Sequence, residues 1–171
     1  MEEKTRDFEM KAQDVKALDM KAQDFEIDRM TREDLTQVLQ IEKQCFSDPW
    51  SEDGFVAALD AAYSILLCAR RQEEVAGYCC LYHILDEGEV MNVAVAPKFR
   101  SRGIGFWMFA CLIEEGIQAG VRRFLLDVRV TNDHAIALYE KAGFRTIARE
   151  KNFYERPVED GWLMEYCLEQ N

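Results

Sequence analysis

The chain has 171 residues, 49% apolar and 31% charged, with a formal net charge of -11 at pH 7. That length fits one domain with a sizeable core, and the composition is that of an ordinary globular protein. The acidic balance argues against general nucleic-acid binding, which needs clustered cations, and suits a cationic acceptor such as a protein amine. No apolar run approaches the roughly 18 residues of a membrane span, so no membrane partner is expected. The first residues, Met1 to Asp7, lead into no apolar stretch of the signal-peptide kind, so a cytoplasmic location is expected. Cys45, Cys68, Cys79, Cys80, Cys111 and Cys167 form no C-x-x-C pair and read as reduced, mostly buried small apolar residues. Only His83 and His134 stand beside them, at no ligand spacing, so no metal site is expected.

Residues 1–24 stand apart as an N-terminal extension. Met-Lys-Ala-Gln-Asp occurs at 10–14 and again at 20–24. A ten-residue repeat is not a heptad, so a long coiled coil is not supported. The segment reads as a mobile or loosely helical arm, or as one that caps an acceptor groove or joins two copies. The domain proper is expected over 25–171. Phe25–Met30 alternates as a strand does. Thr31 and Asp34 resemble a capping box ahead of a helix to about Phe46, and Ser51 caps a second helix to about Asp60. Ser64–Arg71 and Glu74–Leu85 read as antiparallel strands, followed by a strand over Gly88–Val95. A helix over Gly103–Gly120, a buried strand over Arg122–Val128 and a helix over Asn132–Ala142 come next. Arg145–Phe153 and Trp162–Leu168 form the last pair of strands. The single helical crossover between Val95 and Phe124 makes its two flanking strands parallel, by the right-handed crossover rule.

The loop from Pro97 to Gly105 carries Lys98, Arg100 and Arg102 and no acid, a local reversal of sign in an acidic chain. A helix starts directly behind it. Backbone N–H groups at such a start attract phosphate oxygens, and Gly103 and Gly105 let a ligand approach the backbone. A P-loop would end in Gly-Lys-Ser/Thr, whereas Phe106 and Trp107 follow Gly105. A dinucleotide fingerprint would place a third glycine where Met108 stands. An anionic cofactor held by pyrophosphate remains the better reading of the segment.

Arg100-x-x-Gly103-x-Gly105 resembles the pyrophosphate loop of the GCN5-related N-acetyltransferase (GNAT) superfamily, and Asn132 to Phe144 resembles that family's next motif. Asp48–Glu52, Asn92–Val95, Leu126–Asn132, and Arg149–Tyr154 followed by Glu159 and Asp160 are similar to the RimI type within it, the ribosomal-protein-alanine N-acetyltransferases. The likeness runs from about Phe25 to Leu168. It implies an α/β (mixed α+β) fold: a central mixed, mostly antiparallel sheet, splayed at one parallel strand pair and flanked by about four helices. It also implies acetyl-CoA as co-substrate, and a protein or peptide N-terminus as acceptor. By resemblance that is the N-terminal alanine of the eighteenth small-subunit ribosomal protein. A monomer or weak dimer is expected.

The resemblance further implies roles for individual residues. Val93, Ala94 and Val95 match the strand that pairs with pantetheine, and Arg100, Ser101, Arg102, Gly103, Ile104, Gly105 and Phe106 match the pyrophosphate loop. Asn132 matches a cofactor-contacting asparagine, although a helix N-cap explains it equally well. Asp127 stands where the RimI type has its catalytic glutamate. Its shorter side chain favours a water-mediated contact, and its plain alternative is a strand-end carboxylate that caps a turn or pairs with Arg129. Glu89 is the second candidate base. Tyr139, twelve residues after Asp127, matches the general acid and also reads as a core tyrosine; as the acid it contacts the cofactor too. Trp50, Asn92, Tyr154 and Asp160 are the expected acceptor-binding residues. Attack requires a neutral amine: an α-amine has a pKa of about 7.7–8, and lysine, at about 10.4, needs a stronger push. Acetylation of lysine or a small amine, and a non-catalytic acyl-CoA-binding module, are the alternative functions.

Overall fold

Alternating burial along the chain organises a seven-stranded sheet, seen in a computed structural model that describes residues 24–168. The strands are β1 (Glu26–Arg29), β2 (Ser64–Arg71), β3 (Glu74–Ile84), β4 (Glu87–Val95), β5 (Arg123–Arg129), β6 (Arg145–Glu155) and β7 (Val158–Cys167). The helices are α1 (Leu35–Cys45), α2 (Glu52–Asp60), α3 (Ile104–Gln118) and α4 (Asp133–Lys141). The sheet order is β1-β2-β3-β4-β5-β7-β6. Neighbours are antiparallel except β4 and β5, as the single crossover predicts. The repeat within residues 1–24 lies outside the described residues, apart from Asp24.

Val75 to Leu81 on β3 are almost all fully buried, as a central strand covered on both faces must be. Tyr78 and Cys80 face α1, because the Tyr78 hydroxyl reaches Glu42. Cys79 and Leu81 face α3, where the Cys79 thiol lies 3.8 Å from the Met108 carbonyl. Phe55, Tyr78, Phe109 and Phe124 are fully buried, and burying side chains of this size stabilises by about 2–3 kcal/mol each. At Gly116 a Cβ would come within 2.6 Å of the Phe124 ring, so α3 lies directly on the sheet.

One feature of strand register shapes the site. β4 and β5 pair over only three residues, with Glu87 opposite Arg123, Gly88 opposite Phe124 and Glu89 opposite Leu125. Opposite Cys80 and Leu81 of β3, β4 carries one extra residue, Met91. Such a bulge bends its strand and increases the local twist. Past it β4 leaves β5, and the two strands splay.

The hairpin of β6 and β7 corrects one expectation. The final strand begins at Val158 rather than Trp162. Glu159, Asp160 and Gly161 look like loop residues, but the two carboxylates have partners inside the sheet. Glu159 accepts hydrogen bonds from Arg129 and Thr131, and Asp160 from Arg149 and the Asn152 N–H. At the other end of the domain, Asp34 caps a 3-10 turn over Arg32–Asp34 that leads into α1. It accepts from the Thr31 N–H at 2.7 Å and from Arg70. Among the described residues no helix is long and apolar enough to cross a membrane.

Candidate active site

The splay exposes one edge of β4. Beyond Glu89 its other edge is still paired to β3, but no described strand pairs the edge towards β5. Unpaired strand N–H and C=O groups need partners, and an extended ligand arm in the opening can supply them as an added strand does. Val93, Ala94 and Val95 line this stretch. The Val95 carbonyl is already engaged: it accepts from Arg100 Nε at 3.1 Å and from the Cys45 thiol at 3.6 Å.

The loop behind β4 turns sharply. Ser101 and Gly103 both lie in the left-handed region, at φ 62° and 81°. Glycine adopts that conformation at no steric cost, whereas serine does so rarely. The turn aims the first N–H groups of α3 outward, beside exposed Ser101 and Arg102. A Cβ at Gly105 would sit 3.3 Å from Val95 and 3.4 Å from Leu138, so the helix start closes against β4 and α4. Ile104 and Phe106 are buried beneath it, Phe106 with Lys141 over its ring at 4.3 Å. Of the three cations, Lys98 pairs with Glu74, Arg100 reaches Val95, and Arg102 lies 5.8 Å from the Phe99 ring centroid. The open strand edge and the turn with outward N–H groups fit acetyl-CoA: pantetheine in the opening and pyrophosphate at the start of α3. Asn132 caps α4, its side chain accepting from the Ala135 N–H at 3.2 Å.

Asp127 sits on β5 two residues past the last β4 pairing. Phe124, Leu126 and Val128 are buried, with Phe124 on the α3 face. Alternation puts Asp127 and Arg129 on the opposite face, and Arg129 accordingly reaches Ser47 between α1 and α2 at 3.3 Å. Asp127 does not pair with Arg129. That guanidinium donates to Glu159 at 3.0 Å and to the Arg156 and Pro157 carbonyls, and lies 4.2 Å from the Tyr154 ring centroid. Asp127 Oδ1 is buried with no hydrogen-bond donor. Desolvation first, then the neighbouring carboxyls of Glu150 and Glu89, push the Asp127 pKa up to about 6.

Tyr139 lies on the α3 side. It is buried, packed 5.0 Å from the Phe109 ring, and desolvation with Tyr154 and Cys79 nearby raises its phenol pKa well above the ordinary value. Tyr154 feels Asp127 in turn, and its phenol is pushed up to about 12, again chiefly by burial. Glu89 and Tyr154 are thus electrostatic neighbours of Asp127, and Tyr139, buried on the α3 side, is a neighbour of Tyr154. Trp50, Asn92 and Asp160 are each engaged within the fold. The Trp50 ring packs on Phe55 and Tyr82, and its N–H donates to Glu42 at 2.7 Å. Asn92 is buried and donates to Glu42 at 3.3 Å. Both Asp160 oxygens hold the β6–β7 hairpin.

Sequence reasoning missed three residues here: Glu42, Arg129 as a clamp, and Glu150. Glu42 hides at an apolar helical spacing, and its charge was the only signal. Glu150 becomes visible only once β6 is paired with β7. Among the described residues, no three His, Cys, Asp or Glu side chains are grouped to hold a metal ion.

A strand pair splayed past a bulge, a glycine turn opening onto a helix, and a desolvated carboxyl at the mouth are the makings of an acyl-CoA-dependent transferase. The match of residues 35–144 to the family model Acetyltransferase (GNAT) family agrees, and the chain belongs to that family, whose members use acetyl-CoA. It is an N-acetyltransferase. Within the family it is similar to the ribosomal protein bS18-alanine N-acetyltransferase of Salmonella typhimurium, 36% identical over 71% of this chain and 81% of that one. Its fold matches the crystal structure of the ribosomal-protein-S18-alanine N-acetyltransferase from Escherichia coli. There the TM-score is 0.79 at 28% identity, over 86% of this chain and 96% of that one. An Arabidopsis thaliana protein solved in complex with acetyl-CoA shares the fold, with a TM-score of 0.76 at 19% identity over 84% of this chain and 99% of that one.

Proposed function

We propose that this protein transfers the acetyl group of acetyl-CoA to a protein N-terminal α-amine, and that its acceptor is the N-terminal alanine of ribosomal protein bS18. The observation that carries the reading is the desolvated Asp127 carboxyl, with one oxygen free of donors, at the point where β4 leaves β5. A carboxylate with a pKa near 6 is a better base than an exposed one, yet stays ionised at neutral pH. An α-amine needs only a modest push to lose its proton there. The names of the relatives support the choice of acceptor.

The two faces of the sheet divide the work. The acceptor enters from the α1–α2 side, where Asp127 faces the segment between those helices. The acetyl donor lies along β4 with its pyrophosphate at Ser101 to Phe106. Asp127 takes a proton from the ammonium, directly or through one water. The nitrogen lone pair forms the bond to the acetyl carbon, the carbon–sulfur bond breaks, and the nitrogen loses its second proton to solvent as the amide forms. Tyr139, kept protonated by its burial, donates to the departing thiolate, whose own proton affinity the same desolvation raises. Phenol and carboxyl then exchange protons with solvent. Glu89, exposed on the last paired residue of β4, adds negative charge that draws in the ammonium.

The test is thiol release from acetyl-CoA with two matched peptides. One begins with the free alanine of bS18; the other has that amine blocked and keeps its lysines. Turnover with the free amine alone is expected. Equal turnover with both would make the protein a lysine acetyltransferase.

A further inference from the structure

We propose that Glu150 is a positioning residue of the transfer reaction, acting through Asp127: the proton that leaves the acceptor ammonium is held between the two carboxyls. The inference rests on the reading of Asp127 as proton acceptor and adds a partner that the motifs do not reveal.

Register brings the two side chains together across β7. Asp127 is opposite Leu163, which is opposite Ala148; one step on, Arg129 is opposite Gly161, which is opposite Glu150. Alternation therefore puts Asp127 and Glu150 on the same face. The residue between them in the Glu150 row is Gly161, over which the Phe153 side chain packs. Glu150 is close enough for its carboxyl to raise that of Asp127. Two carboxylates cannot hydrogen-bond unless one carries a proton, and Asp127 Oδ1 has no donor.

The cations in the neighbouring rows do not neutralise the pair. Arg129 is turned to Glu159, and Arg149 to Asp160 at 2.8 Å. The remaining groups facing Asp127 are Glu89 from β4 and the Tyr154 phenol from β6. With no cation set between them, the charge of Glu150 opposes ionisation of Asp127. One proton taken from the ammonium leaves a neutral amine and a pair carrying a single negative charge, its repulsion relieved. The shared proton then passes to solvent, and both carboxylates are restored. Glu150 thus raises the basicity of Asp127 without touching the acceptor.

Glu150→Gln, Asp127→Asn and the double variant test the proposal, with acetyl-CoA titration confirming that each is folded. The aspartate carboxyl carbons are followed by 13C NMR from pH 3 to 9, with Asp127→Asn assigning the signal. In Glu150→Gln the Asp127 midpoint should fall by a unit or more, because the repulsion is gone and the amide can donate to Oδ1. Its kcat should drop about tenfold with the acetyl-CoA KM unchanged. The same substitution should cost nothing further in the Asp127→Asn background. An Asp127 midpoint that Glu150→Gln leaves in place, or an equal loss in both backgrounds, overturns the pairing. Full turnover by Asp127→Asn would sink the underlying reading of Asp127 instead.

Discussion

Two carboxyls near the centre of this sheet, Glu42 buried and Asp127 half-buried, have opposite surroundings. Glu42, 1% exposed, accepts from the Trp50 N–H, the Tyr78 hydroxyl and the Asn92 amide. Asp127 has one oxygen with no donor at all. Burial raises both, Glu42 to about 7 and Asp127 to about 6. Hydrogen bonds from Trp50 and Asn92 counter the rise at Glu42, whereas neighbouring carboxyls add to it at Asp127. Glu42 ties the end of α1 and Trp50 to β3 and to the bulged stretch of β4, so it belongs to the framework. Asp127 is left unsatisfied where the framework opens, which is what a group kept for an incoming proton requires.

The sharpest way to break this comparison is to neutralise the unsatisfied member. Asp127→Asn should lower kcat by about 10²–10³-fold, yet raise the melting temperature, because a desolvated charge beside Glu150 is removed. Steady-state kinetics and calorimetry on the same sample would check both. Loss of stability together with activity would make Asp127 a framework residue like Glu42. Glu42→Ala should do the reverse. It strands the Trp50 N–H, the Tyr78 hydroxyl and the Asn92 amide and opens a cavity, costing about 3 kcal/mol in denaturant unfolding. The surviving folded fraction should still bind acetyl-CoA.

Stability against pH distinguishes the two environments more gently. Raised carboxyls such as Glu42 and Asp127 contribute stability in full below their unfolded values near 4, and that contribution is lost as the pH climbs through 6 and 7. Glu159, Asp160 and Glu165 work the other way. Their partners, chiefly Thr131, the Asn152 N–H and Arg123 respectively, hold them below the ordinary value. Their contribution is present above about pH 4.5 and disappears as the pH falls through the folded values. Maximum thermal stability should therefore lie on the acid side of neutrality, and Asp127→Asn should flatten the decline between about pH 4 and 6. A decline unchanged by that substitution would assign it to Glu42 alone. The smallest expected effect is at Asn132. Its replacement by alanine removes the cap on α4 and costs about 1 kcal/mol. A rise in the acetyl-CoA KM beyond that loss would show that the asparagine contacts the cofactor as well.

Much of this architecture was legible in the residues, and the failures have physical causes. Period-two and helical spacing located the strands and helices in order, and the single crossover implied the parallel pair of β4 and β5. The sequence places the start of β7 at Trp162 rather than Val158, because Glu159 and Asp160 look like loop residues until Arg129 and Arg149 are seen to hold them. Glu42 sits at an apolar spacing of α1, and nothing in that helix itself announces that Tyr78 and Asn92 will converge on it. Resemblance to the family's motifs named Asp127 and Tyr139, but their separation onto two faces depends on the splay, and so on the bulge at Met91 and long-range register. Glu150 was out of reach for the same reason: its partner is two strands away and 23 residues earlier in sequence.

The pH dependence of Asp127→Asn tests the central claim most directly. If Asp127 removes the acceptor's proton, the variant needs help only where the α-amine is still protonated. Its kcat deficit against the unaltered protein should shrink steadily from pH 7 to 9.5, as the amine, with a pKa of about 7.7–8, arrives already neutral. A deficit of the same size at every pH would show that Asp127 does not act on that proton.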